Sequence, residues 1–183
     1  MDRVTAAATP SAEEFFDPAL VEESAKKSGL LWVAADGQGP GRPLWHAWQG
    51  GAVVVVGDGG EQPLHGLVGG GTAVVTVRSK DKGGRLVRWP ARVVEPAPGS
   101  EAWQAAVDEL KGKRLNAPDT DTVTDRWARE CRVLRLEPAG ATTQRPGAMP
   151  DTSHAAQPVP TPATTRHPAP AGLPKLLFRR RRP

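Results

Sequence analysis

The stretch with the most chemical potential is VVVVGDGGEQPLHGLVGGG, Val53 to Gly71. Gly57, Gly59 and Gly60 give the backbone freedom to turn successive N–H groups toward one anion, a nest that needs no cation. A dinucleotide fingerprint, however, requires a third glycine and a helix start aimed at the phosphate. Here Gln62 stands in the third glycine's place and Pro63-Leu64 follows. Asp58 and Glu61 add two negative charges beside the would-be ligand. A flexible connection leaving a strand is therefore preferred to a phosphate cradle. His65 could exchange protons, although a lone loop histidine is more often simply solvated.

Other candidates lie on either side. In Trp45-His46-Ala47-Trp48, His46 and Trp48 share one face of an extended segment. If that face lines a groove, Trp48 would stack on a planar ring; core or interface packing is the slightly favoured alternative. Arg78, Lys80, Lys82 and Arg85 gather around a hairpin, and Arg78 with Lys80 is the best-placed pair for an anionic ligand. Hairpin lysines also commonly protect strand edges. Arg114 and the arginines of RWARE (126–130) could close over a ligand or simply favour helix C-termini. No metal site is expected: Cys131 is the lone cysteine, and two of the four histidines, His154 and His167, lie near the C-terminus. With no Gly-x-Ser-x-Gly elbow and no Cys–His pairing, no catalytic residue is assigned. Any reactivity must be borrowed from a cofactor.

These residues must be positioned by short elements. Asp17-Pro18 starts a helix through PALVEESAKKS that Gly29 stops. LLWVAAD (30–36) and LWHAWQ (44–49) read as strands, and Gly50-Gly51 turns the latter into AVVVV (52–56). TAVVTVRS (72–79) and RLVRWPARVVE (85–95) form a second hairpin across KDKGG. Ser100 caps a helix with Trp103, Val107 and Leu110 on one face; RWARE is a helical turn, and CRVLRLEP (131–138) a last strand. Crossover helices between strands are missing, so the sheet is antiparallel: a mainly β protein, a small barrel of about six strands with flanking helices.

The 183 residues suffice for one domain and extras. Residues 1–16 read as a flexible N-terminus and 17–138 as the domain. Residues 139–183, rich in Pro, Ala and Thr, read as a disordered tail. That tail carries seven of the 24 Lys and Arg against Asp151, leaving the first 138 residues at a net −2. The longest apolar run, Ala52 to Val56, is too short to span a bilayer, and acids interrupt any N-terminal secretory pattern. One cysteine without a disulfide partner suits a reducing compartment, so a cytoplasmic protein is expected.

From Ser28 to Pro138 the segments SGLLWVAAD, LWHAWQGGAVVVV, TAVVTVRSKDKGGRLVRWPARVVE and CRVLRLEP resemble the FMN-binding split β-barrel family, the pyridoxamine 5'-phosphate oxidase-like and flavin-reductase-like group. The resemblance covers roughly 60% of the chain and rests on pattern, not on a diagnostic motif. It implies a split barrel, a homodimer and FMN or a deazaflavin held between subunits. It also implies two-electron redox chemistry done by the flavin. In relatives the strand matching AVVVV is followed by a threonine and then by a serine and two basic residues that hold the flavin phosphate. Here Gly57 falls at the threonine and Glu61, Gln62 and Pro63 at the other three. The usual grip is missing, which leaves His46, Trp48, Arg78, Lys80, Gly57 and Gln62 as the cofactor-binding candidates.

Three functions follow. The first is a flavin-dependent oxidoreductase of that group. The second is a non-catalytic split-barrel protein that binds a deazaflavin, another ligand or a protein partner. The third is a nucleic-acid accessory protein acting through KLLFRRRRP at its end. Four arginines without base-reading elements bind weakly and in a salt-sensitive way, so a solvated tail is preferred to nucleic acid or an anionic membrane.

Overall fold

In the computed structural model the described residues are 16–115, 117 and 119–150. Readings placed on residues 1–15 and 151–183, including the arginine-rich end, lie outside them. Helix α1 (Pro18–Lys27) begins as expected, the Asp17 carboxylate accepting the Leu20 N–H at 3.0 Å with Pro18 in the first turn. Strands β1 (Leu31–Ala35), β2 (Arg42–Leu44), β3 (Ala47–Gln49), β4 (Ala52–Gly57), β5 (Thr72–Arg78) and β6 (Arg85–Val94) follow. Helix α2 (Glu101–Lys113) is capped by Ser100, whose hydroxyl accepts the Trp103 N–H. Helix α3 (Val123–Glu130) and strand β7 (Arg132–Pro138) complete the order.

All seven strands form one antiparallel sheet, ordered β2-β1-β5-β6-β7-β4-β3. Both expected hairpins are present, β3–β4 in register Gln49↔Ala52 and β5–β6 in register Val77↔Val87. The single strand read over 44–49 is instead two. Leu44 ends β2 at one edge of the sheet, and Ala47 begins β3 at the opposite edge. Three Cα steps span at most about 11 Å. Seven strands laid flat would separate the edges by about 29 Å. The sheet must therefore curl until its edges nearly meet, giving a half-barrel with Trp45 and His46 across the gap.

One apolar cluster fills the inside of the curl, including Leu31, Val33, Val53, Val55, Val75, Trp89 and Leu136. A second lies outside, where Val54, Val56 and Val133 meet Trp103, Val107 and Leu110 of α2 and Trp127 of α3. Strand β4 is thus buried on both faces, the physical reason for the unbroken run Val53–Val56. Past β7 the described chain stays on the sheet: Ala139 N–H donates to the Pro90 carbonyl at 2.9 Å, and Gln144 bridges to Arg88. Thr142 and Gln144 are buried, and the Thr142 hydroxyl accepts the Asp17 N–H. No helix of the described residues is long and apolar enough to cross a membrane.

Candidate functional site

The glycine-rich loop after β4 is fastened to the body of the domain. Asp58, Glu61 and Gln62 tie it to itself: Asp58 N–H donates to the Gln62 carbonyl at 2.9 Å and Glu61 N–H to the Asp58 carbonyl at 2.8 Å. Asp58, Gly59 and Gly60 have φ of 62°, 48° and 87°, and a Cβ at Gly59 would lie 2.3 Å from the Glu130 carbonyl oxygen. At Gly57 a Cβ would meet the Gln62 carbonyl at 2.4 Å and Leu64 at 2.6 Å. At both positions the missing Cβ lets protein close on protein.

Glu61 and Gln62 look inward. The Glu61 side chain is 1% exposed and accepts from Arg114 Nε at 3.0 Å, Arg126 Nη2 at 2.9 Å and the Trp127 indole N–H at 3.1 Å. Burial pushes its carboxyl up, but the hydrogen bonds from Arg126 and Trp127 and the charges of Arg114 and Arg126 outweigh that, holding it below the usual carboxylate range. Gln62 clamps the main chain of Trp45: its Oε1 accepts the Trp45 N–H and its Nε2 donates to the Trp45 carbonyl, both at 2.8 Å, and to the Val56 carbonyl at 3.1 Å. Residues at the serine and first basic position of the resembled grip are thus consumed by structure. Flavin phosphate does not fit there.

A different place does offer a receptacle. A cleft of about 640 Å³ opens between the end of α1, β3 and the end of α2. Trp45, His46 and Trp48 line it, together with Lys26, Glu109, Lys113, Arg114 and Leu115. Trp45 is backed by Trp127, ring centroids 6.4 Å apart, and the Arg114 guanidinium stands 6.0 Å from the Trp45 ring centre. His46 is 6% exposed, with Nε2 at 2.9 Å from the Ala25 carbonyl. A carbonyl only accepts, so Nε2 carries the proton and Nδ1 a lone pair. That Nδ1 is buried and unpartnered. Burial pushes His46 below its ordinary value, the hydrogen bond to Ala25 opposes this, and the Lys113 charge adds to it.

Of the six residues singled out in the sequence, His46 and Trp48 line the cleft, and Gln62 holds its Trp45 wall from behind. Gly57 lies beneath Leu64. Arg78 and Lys80 belong to the β5–β6 hairpin and do not line the cleft; Arg78 stacks on Trp32, 4.8 Å from the ring centre. His65, at φ 47°, borders a smaller hollow with Gln38 and Arg42. Trp45 and Lys113 went unrecognised in the sequence, Trp45 because it faces away from His46 along the strand pattern. Among the described residues no three His, Cys, Asp or Glu side chains gather to hold a metal ion.

No family model matches the chain, and no curated protein does. Among solved structures it is similar to the heme storage protein HutZ from Vibrio cholerae: 15% identity over 65% of this chain and 87% of that one, TM-score 0.48. It is also similar to the conserved hypothetical protein Rv2991 from Mycobacterium tuberculosis: 16% identity, 79% and 96% covered, TM-score 0.47. An FAD and heme binding protein from Mycobacterium smegmatis is similar at 14% identity, 91% and 96% covered, TM-score 0.47.

Proposed function

We propose that this half-barrel protein binds a flavin-type ligand, its planar ring seated in the α1–β3–α2 cleft. One observation carries the reading: Trp45 and Trp48 line a cleft of about 640 Å³ alongside a buried histidine whose Nδ1 lone pair has no partner. Aromatic walls favour a planar ring, and an unpaired buried acceptor favours a ligand that brings an N–H or O–H donor. A flavin-type imide N–H is such a donor. A bound flavin supplies two-electron chemistry at its own ring; the chain's part is to stack it, orient it through His46 and shield it beneath Leu115. FMN and a deazaflavin both present this ring. No side chain of the cleft is assigned an acid–base step, and a non-catalytic carrier is equally served by the same contacts. The reading includes a homodimer, as the family resemblance implies.

The test is a fluorescence titration with riboflavin, which has the ring and no phosphate. Binding quenches flavin emission, and Trp48→Ala weakens it about three- to tenfold through lost stacking. Protein that quenches neither riboflavin, FMN nor a deazaflavin at millimolar concentration would sink the proposal.

A further inference from the structure

The loop that lost its phosphate grip still governs where positive charge sits. Two arginines meet Glu61, and their remaining nitrogens distinguish them. Arg126 is fully engaged: Nε on Asp119 at 2.6 Å, Nη2 on Glu61 and Asp119, Nη1 on the Gly59 carbonyl at 3.1 Å. Arg114 gives Nε to Glu61 at 3.0 Å and Nη1 to the Leu115 carbonyl at 2.6 Å; its Nη2 makes no hydrogen bond among the described residues. Arg114 is also the one of the two that lines the cleft. Next to it stands exposed Lys113, close enough for its charge to act on His46. Lys26 lines the opposite wall, paired with Glu22 at 2.5 Å. Three cations thus face one acid of the cleft, Glu109.

Resting on the cleft reading above, we infer that the cleft recognises an anionic substituent on its aromatic ligand, a phosphate or carboxylate, through Arg114 and Lys113, with Glu61 as positioning residue. Glu61 fixes the Nε edge of Arg114, which turns the rest of a planar five-donor fork outward at no further cost in side-chain entropy. The acid standing at the serine position of the resembled grip is therefore not a repellent. It is buried, its charge is neutralised, and it holds in place a cation that comes from 53 residues further along. Both cations sit at the C-terminal end of α2.

The experiment compares FMN with riboflavin, which differ only in the phosphate, on the full chain at low salt. Wild type binds FMN about tenfold more tightly, the effect of one or two charge-assisted hydrogen bonds at a half-exposed site, and added salt narrows the gap. Lys113→Ala, a surface change that leaves folding untouched, cuts the advantage to about two- to threefold while riboflavin affinity is kept. Glu61→Gln does the same, whereas a merely structural role would weaken both ligands alike. Arg129→Ala, on an exposed arginine away from the cleft, changes neither. Equal affinity of wild type for FMN and riboflavin, or equal losses for both in Lys113→Ala, would overturn the inference and leave the flavin reading standing. Failure of both to bind overturns the two together.

Discussion

At the scale of single residues, two buried ionisable groups make the domain less stable in acid. His46 is held neutral: burial pushes it below 6.5, and the charge of Lys113 adds to that against the Ala25 hydrogen bond. Between its folded value and 6.5 the unfolded chain binds a proton that the folded one refuses, so its stabilising effect is complete above 6.5 and is lost as pH falls. Glu61 acts in the same direction at lower pH: its folded carboxyl lies below the unfolded one, so its contribution is present above about 4.3 and lost on further acidification. Urea unfolding from pH 7.5 to 5 should show wild-type stability falling below pH 6.5 by at most about 1.4 kcal/mol per pH unit. In His46→Gln, which keeps a donor for the Ala25 carbonyl, that slope should vanish. An unchanged slope would show that His46 is not its source. Neither residue's role was legible in the sequence. Glu61 reads as a repellent charge because Arg114 and Arg126 lie 53 and 65 positions away, and spacing reveals nothing about partners that distant.

At the scale of elements, the local signals were readable and the long-range ones were not. Asp17-Pro18, Ser100, the Gly50-Gly51 turn and the KDKGG turn act through neighbours in sequence, and each does what its residue types require. LWHAWQ reads as one strand because nothing in its composition marks a crossing from one sheet edge to the other. The crossing is enforced by partners, β1 on one side and β4 on the other. The β4 loop teaches the converse lesson. Its glycines do signal a tight backbone, yet the tightness serves contact with Gln62, Leu64 and Glu130. Restoring the resembled family's threonine with Gly57→Thr should therefore cost about 2–4 kcal/mol, read as a lowered midpoint in denaturant, through a Cβ at 2.4 Å from a backbone oxygen. It should bring no gain in FMN affinity. A fully stable Gly57→Thr would mean that the loop is looser than described.

At the scale of the molecule, the two outer faces of the curled sheet differ. Helices α2 and α3 cover β4 and β7, whereas Trp32, Ala34, Val74, Thr76, Leu86 and Pro90 stand on the outer face of β1, β5 and β6, opposite the residues that fill the curl. A homodimer would have its seat there, with Arg78 stacked on Trp32 at the rim. Light scattering after gel filtration should give twice the chain mass, and Val74→Asp should halve it without loss of the folded spectrum; a monomeric wild type would remove the dimer from the proposal.

The place of β7 has a consequence for biosynthesis. It is the last strand of the described residues, yet it lies inside the sheet, between β6 and β4. While a ribosome is still making the first 131 residues, β2-β1-β5-β6 and β4-β3 are two separate ribbons, each with an unsatisfied inner edge. Only Arg132–Pro138, paired with β4 on one side and β6 on the other, joins the two ribbons. A nascent chain stalled short of that point presents two adhesive edges to its neighbours on the polysome.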